Sequence, residues 1–196
     1  MKMQSLSRFI AYILRHKPSA GGVALDKHGW ANVDELIIGV NKSGRQIDFG
    51  TLCDIVENDG KQRFAFNDDK TKIRANQGHS IEVDLQMPER APPDILYHGT
   101  TEKYLDGIKQ YGIIKKSRNF VHLSKDKETA AKVGARHGNA VVLVIDAKKM
   151  VMDGFKFYLS ANGVWQTDNV PYKYINNLTD CCIKTKENKL KNHKGT

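Results

Sequence analysis

Tyr97-His98-Gly99-Thr100-Thr101 follows a proline-rich break and the apolar pair Ile95-Leu96, so a strand delivers a histidine straight into a glycine turn. That presents a ring nitrogen, a backbone amide unshielded by a side chain, and a hydroxyl together. A histidine with an ordinary pKa of about 6.5 can give or take a proton near neutrality. Arg15-His16, Gln62-Arg63-Phe64, His122-Leu123-Ser124 and Gly134-Ala135-Arg136-His137-Gly138 likewise set histidines and arginines beside glycines and turns. Each has a structural alternative: a satisfied histidine at a strand-loop junction, or, for Arg15-His16, cations complementing a helix C-terminus. Neither G-x-G-x-x-G nor G-x-x-x-x-G-K-[ST] occurs, and G-x-S-x-G and H-E-x-x-H are absent too, so Rossmann, P-loop, hydrolase-elbow and zincin sites are unsupported.

The elements that must position these residues can be read in outline. Met3, Leu6, Phe9, Ile10, Ile13 and Leu14 recur at helical spacing, and Pro18 should end that helix near Lys17, leaving Arg15 and His16 on its last turn. Helices are expected at residues 32–40, with Val33, Leu36 and Ile37 inward, and at 48–58. A hairpin follows, Arg63-Phe64-Ala65-Phe66 with Lys72-Ile73-Arg74. Three helices and a hairpin describe a winged-helix module. Its candidate recognition helix carries Asp48, Asp54 and Glu57 and no lysine or arginine, which speaks against ordinary duplex readout. Met87-Pro88-Glu89-Arg90-Ala91-Pro92-Pro93 reads as a semi-rigid linker.

After the linker come the strand ending at His98, a helix over 102–111, a strand at 121–124 and a helix over 127–136 packing through Ala130, Ala131 and Val133. The wholly apolar Val141-Val142-Leu143-Val144-Ile145 should be a central strand, with later strands at 155–159 and 164–167. The fold class is therefore α+β. The expected division is residues 1–86 as a winged-helix-like lobe, 87–94 as linker, 95–183 as a sheet lobe and 184–196 as a basic tail.

With 196 residues, 40% hydrophobic and 27% charged, the chain reads as globular, and no apolar run approaches a membrane span. The first 14 residues are broken by Lys2, Gln4, Ser5 and Arg8, so no secretory signal is expected. Cys53, Cys181 and Cys182 form no C-x-x-C pair, which fits a reducing cytoplasm and disfavours a disulfide framework or zinc site. The net charge of +9 lies wholly after residue 94, partly in five lysines of the tail, and favours an anionic partner.

Leu14-Arg15-His16-Lys17-Pro18, Gly29-Trp30, Lys61-Gln62-Arg63-Phe64, Tyr97-His98-Gly99-Thr100, Arg118 before Val121-His122-Leu123-Ser124, Val133-Gly134-Ala135-Arg136-His137-Gly138 and Ser160-Ala161-Asn162-Gly163-Val164-Trp165 together resemble an RNA 2'-phosphotransferase of the KptA type, the tRNA-splicing phosphotransferase family. The resemblance implies a winged-helix-like lobe joined to an ADP-ribosyltransferase-like lobe, with the active site in the cleft between them. It implies NAD+, consumed as co-substrate, and RNA bearing an internal 2'-phosphate as partners, with no metal and no membrane. A monomer is the expectation. In such enzymes the RNA 2'-phosphate attacks the nicotinamide ribose and expels nicotinamide. The ribose 2''-hydroxyl then attacks phosphorus, releasing 2'-OH RNA and ADP-ribose 1'',2''-cyclic phosphate. The alternative is an ADP-ribosyltransferase that stops after the first step.

By the same resemblance, Arg15, Arg63 and Arg136 would clamp the phosphate and His16 would be the general acid or base. His98, Gly99, Thr100, His122, Ser124 and Arg136 would contact NAD+. Arginine suits the first role because its planar fork stays charged and pairs with phosphate oxygens. Arg118 is left open between a substrate contact and a surface charge. Gln166 departs from the resemblance, which has an apolar residue after the tryptophan.

Overall fold

The computed structural model describes residues 2–176, a mixed α/β chain of short sheets and six α-helices among those residues. The basic tail, Cys181 and Cys182 lie outside the described residues. The described residues form two compact units: residues through Pro88 with Lys116–Phe120 and Leu159–Gly163, and Glu89–Lys115, Val121–Tyr158 and residues 164–176.

In the first unit, α1 (Lys2–Arg15) buries Leu6, Ile10, Ile13 and Leu14, while Met3 stays exposed and half-buried Phe9 is covered by the Arg45 guanidinium at 3.6 Å. The His16 and Lys17 amides both donate to the Tyr12 carbonyl at 3.0 Å, and Pro18 opens a 3-10 turn. α1 thus stops where proline forbids it to continue. β1 (Ala31–Asn32) leads into α2 (Val33–Lys42), where the Asn32 side chain accepts the Glu35 amide at 3.0 Å. α3 (Phe49–Glu57) is capped likewise, Asp48 accepting the Thr51 amide at 2.7 Å. Such caps satisfy backbone donors the first turn leaves without partners. β2 (Phe64–Phe66) and β3 (Lys72–Ala75) form the hairpin, in an antiparallel sheet of order β1-β3-β2. Phe64 and Ile73 seal the helices' apolar faces beneath it.

In the second unit, β4 (Ile95–Thr101) carries the His-Gly-Thr motif and is followed by α4 (Leu105–Tyr111), β5 (Ile113–Ile114), β6 (Val121–Leu123) and α5 (Lys127–Gly134). Then come β7 (Ala140–Asp146), α6 (Ala147–Met152), β8 (Tyr158–Leu159), β9 (Trp165–Thr167), β10 (Asn169–Val170) and β11 (Ile175–Asn176). The expected central strand is central: the sheet order is β11-β7-β4, and β4 pairs with β7 along its whole length, His98 opposite Leu143. A second sheet runs β6-β9-β8, and β10 pairs with β5. Two local expectations fail. Of residues 155–159 only β8 is strand, and Val133 is 36% exposed while Gly134 makes the close packing. Val133 is turned outward because α5 lies on β4 by backbone, a contact that only glycine permits.

No helix among the described residues is long and apolar enough to cross a membrane.

Candidate active site

Arg15 sits on the last turn of α1, and its position is determined by a segment that no periodicity announced. Past β3 the chain continues through residues 76–80 and crosses the end of α1. There Ser80 donates its amide to the Arg15 carbonyl at 3.0 Å. Gly78, at φ +90, faces the Arg15 side chain: a Cβ there would lie 3.7 Å from Cδ, Nε and Cζ. The guanidinium therefore lies against backbone with no side chain between, in a conformation that favours glycine. Earlier in the same strap, Asn76 donates its amide to the Arg63 carbonyl at 2.8 Å and its Nδ2 to the Gln62 carbonyl at 2.7 Å. Beyond it, the His79 carbonyl accepts the Asn119 amide at 3.1 Å and the Ile81 carbonyl accepts Asn119 Nδ2 at 3.0 Å, which anchors the segment carrying Arg118. One five-residue strap and its next residue thus tie together the stretches bearing Arg15, Arg63 and Arg118.

Arg63 has its own anchor. Asp59 accepts the Arg63 amide through Oδ2 at 2.6 Å and pairs with Nη1 through Oδ1. It thereby fixes the turn in which Gln62 adopts a positive φ of 45°. Asn162, from the Ser160-Ala161-Asn162-Gly163 stretch, donates to the Lys61 carbonyl of that turn at 3.0 Å. No motif or periodicity in the sequence marks Asp59.

The electrostatics of this cluster are set by burial and like charge. Desolvation first, then the positive charges of Arg63 and Arg118, lower the pKa of Arg15 to about 10, with Asp59 opposing. The side chain still carries its charge at neutrality. Its Nε and Nη2 are buried and have no protein partner. Two desolvated donors of one cation, held beside two further arginines, have the make-up of an anion site, because arginine's fork matches paired oxygens. Arg118 belongs to this set; Arg136 is exposed on a 3-10 turn of the second unit.

His16 is exposed, its Nδ1 2.8 Å from Ser80 Oγ. Partial burial, then Arg15 and Arg118, push its pKa below the ordinary histidine value, so the ring is neutral at pH 7. His79 is buried at 2% exposure with Nε2 unpartnered, and burial followed by Arg15, His16 and Arg74 lowers it to about 4. The folded His79 therefore binds fewer protons than the unfolded chain between pH 4 and 6.5, so stability rises with pH through that window and is lost as pH falls. Between pH 7 and pH 4.5 this group alone should cost about 2–3 kcal/mol. Urea titrations at both pH values are expected to show a His79→Gln variant losing less stability on acidification by about 2 kcal/mol. Equal losses in both proteins would refute the assignment.

In the second unit, Tyr97 of β4 and Ser124, the residue after β6, form a bridge, exchanging amide-to-carbonyl bonds of 2.8 Å in both directions. Beyond it the His98 ring reaches the His122 carbonyl, Nδ1 to oxygen 3.0 Å. A carbonyl only accepts, so Nδ1 carries the proton and Nε2 is the acceptor in the neutral ring. His98, Gly99, His122 and Ser124 are half-buried and Thr100 is buried. Gly99 turns its open side to α5, where a Cβ would meet the Ala130 carbonyl at 1.8 Å. Gln166, opposite His122 on β9, is 1% exposed with Nε2 unpartnered. Its burial as a polar residue matches the departure noted in the sequence. Among the described residues no group of three or more His, Cys, Asp or Glu is placed to hold a metal ion.

A family model described as RNA 2'-phosphotransferase, Tpt1 / KptA family, matches residues 1–169. The chain belongs to the RNA 2'-phosphotransferase family. It is 53% identical over 172 residues to a protein of Flavobacterium johnsoniae, covering 88% of this chain and 94% of that relative. Identity is 57% over 171 residues to one of Fusobacterium nucleatum subsp. nucleatum, with 87% and 96% covered. A Burkholderia pseudomallei protein is 47% identical over 169 residues, with 86% and 92% covered. Each bears the name "Probable RNA 2'-phosphotransferase". The RNA 2'-phosphotransferase match takes in every residue of both clusters, Arg15 to Gln166.

Proposed function

We propose that the protein removes an internal 2'-phosphate from RNA with NAD+ as co-substrate, in two steps: ADP-ribosylation of the phosphate with loss of nicotinamide, then transesterification to 2'-OH RNA and ADP-ribose 1'',2''-cyclic phosphate. The observation that carries this reading is Arg15, half-buried beside Arg63 and Arg118 with two buried donors unmet by protein. A phosphate supplies the missing acceptors, and its charge offsets the mutual repulsion of the three arginines. Family membership supports the substrate class.

The first unit, read as the winged-helix-like lobe, then holds the phosphate by Arg15, Arg63 and Arg118. This arginine set stabilises charge as it concentrates on phosphorus, with no reorganisation at the moment of reaction. His16, neutral at pH 7, takes the proton from the attacking hydroxyl and returns it to the departing 2'-oxygen. The second unit, read as the ADP-ribosyltransferase-like lobe, receives NAD+. Its residues fit a dinucleotide: His98 offers an acceptor nitrogen suited to a ribose hydroxyl, and the buried Thr101 Oγ1 and Gln166 Nε2 have no protein partner. In the first step nicotinamide leaves neutral, so these residues need only align and desolvate the reacting centre.

The test is an oligoribonucleotide carrying one internal 2'-phosphate, incubated with the protein and NAD+ without added metal. Dephosphorylated RNA, free nicotinamide and ADP-ribose cyclic phosphate are expected in equal amounts. Persistent ADP-ribosylated RNA would favour the one-step transferase, and unchanged NAD+ would reject both.

A further inference from the structure

We propose that Ser80 is the positioning residue of His16: its hydroxyl accepts the Nδ1–H of the ring and holds the tautomer in which Nε2 takes up and returns a proton. The kinetic consequence rests on the function proposed above; the geometry does not.

Ser80 lies 64 positions from His16 in sequence, yet its Oγ is 2.8 Å from His16 Nδ1, and its own amide donates to the Arg15 carbonyl at 3.0 Å. The hydroxyl is therefore anchored to the residue adjoining the one it touches, so ring and hydroxyl move with one helix end. The anchoring carbonyl is among the last of α1, which lack partners within the helix. A hydroxyl can donate or accept, and the chemistry decides between the two. If Oγ–H donated to Nδ1, the neutral ring would carry its proton on Nε2 and could accept none there. If Nδ1–H donates to Oγ, Nε2 is bare in the neutral ring, and the same bond persists unchanged when the ring is protonated.

That persistence matters because the groups facing the ring oppose its charge. Arg15 lies on α1 and Arg118 on the 116–120 segment, both positive and both lowering the pKa of His16, whose own charge in turn lowers that of His79 in the strap. Tyr12, with its ring centroid 6.3 Å away, is the aromatic neighbour. In the step served, the ribose hydroxyl oxygen bonds to phosphorus while the bond from phosphorus to the RNA 2'-oxygen breaks. The hydroxyl proton passes to His16 Nε2 and then to the departing 2'-oxygen, so the ring ends as it began.

Three measurements test this. Without substrate, nitrogen-15 NMR of the imidazoles is expected to show His16 as the Nδ1–H tautomer in the wild type and Ser80→Thr, and shifted toward Nε2–H in Ser80→Ala. In single turnover with 2'-phosphorylated RNA and NAD+, Ser80→Ala should slow conversion of the ADP-ribosylated RNA about tenfold, the scale of one lost hydrogen bond, while nicotinamide release stays within about twofold. Ser80→Thr should come within about threefold of wild type on both steps. Adding Ser80→Ala to His16→Ala should cost nothing further. An unchanged His16 tautomer in Ser80→Ala, an unchanged second step, or an undiminished effect in the His16→Ala background would each overturn the proposal. A wild-type protein inert on the RNA would instead overturn the proposed function, and the tautomer measurement would still decide the role of Ser80.

Discussion

Arg15→Met and Arg118→Ala are each expected to slow the second step by about 10²–10³-fold, so that ADP-ribosylated RNA accumulates under single turnover. The magnitude follows from preorganisation. Arg15 is held against Gly78 backbone with Nε and Nη2 already stripped of water and unmatched by protein. For those two donors, the desolvation that a flexible cation would undergo on binding is therefore complete in the folded protein. Arg15→Lys should fail almost as badly, because a single ammonium cannot reproduce two directed donors. Arg15→Met keeps the stem that packs on the strap while removing a charge repelled by Arg63 and Arg118. Its thermal midpoint is thus expected to hold or rise even as activity collapses, the pattern of a site whose strain serves function. Arg136→Ala, in the unit proposed to receive NAD+, should act instead on nicotinamide release and on the KM for NAD+. If Arg136→Ala accumulated the intermediate while Arg118→Ala processed it at the wild-type rate, the third arginine of the clamp would be Arg136.

The first unit illustrates what sequence can carry. Helix faces were legible because burial repeats with the helical period: Leu6, Ile10, Ile13 and Leu14 mark one face of α1, and all are buried. The stop at Pro18 was equally local, and the expected helix starts at 32 and 48 fall on the residues that cap α2 and α3. β7 was legible as a strand and as central, since a long apolar run must be covered. Its register against β4 was not, because an antiparallel ladder joins residues dozens of positions apart with no signature in either strand alone. The loop carrying Arg118 and the strap 76–80 have no period, and their placement comes from carbonyl and amide pairings such as Asn119 to His79. Sequence therefore leaves Arg118 open and does not mark Asp59 or Ser80, while Arg136 enters the clamp through the family resemblance alone. Motif spacing marks single residues; only the fold shows that the charges of Arg63 and Arg118 act on Arg15.

Gly99→Ala is expected to destabilise the protein by about 3 kcal/mol or more and to lower its thermal midpoint by roughly 10 °C. A Cβ at this position would fall 1.8 Å from the Ala130 carbonyl oxygen and 2.9 Å from the Gly134 amide nitrogen, both backbone atoms that no rotamer change can move. The contact is reciprocal, since a Cβ at Gly134 would fall 2.6 Å from the Thr100 carbonyl oxygen. Two glycines facing each other let α5 rest on the backbone of β4, the strand that presents His98. Either alanine must lift the helix, so Gly134→Ala should be destabilising to a similar degree, and the double variant should cost less than the two singles together. Gly107→Ala, on α4 with nothing within 4 Å of its Cβ, should leave the midpoint unchanged or slightly raised and serves as the control in the same unit. The comparison separates two reasons for a glycine after His98. A glycine required only so that NAD+ can approach the backbone would lose NAD+ binding on Gly99→Ala at an unchanged midpoint, and Gly134→Ala would be silent. A glycine required for packing would lose stability in both, with NAD+ binding lost as the displaced helix disturbs the strand carrying His98. Unchanged midpoints for Gly99→Ala and Gly134→Ala, measured by differential scanning calorimetry, would sink the packing account.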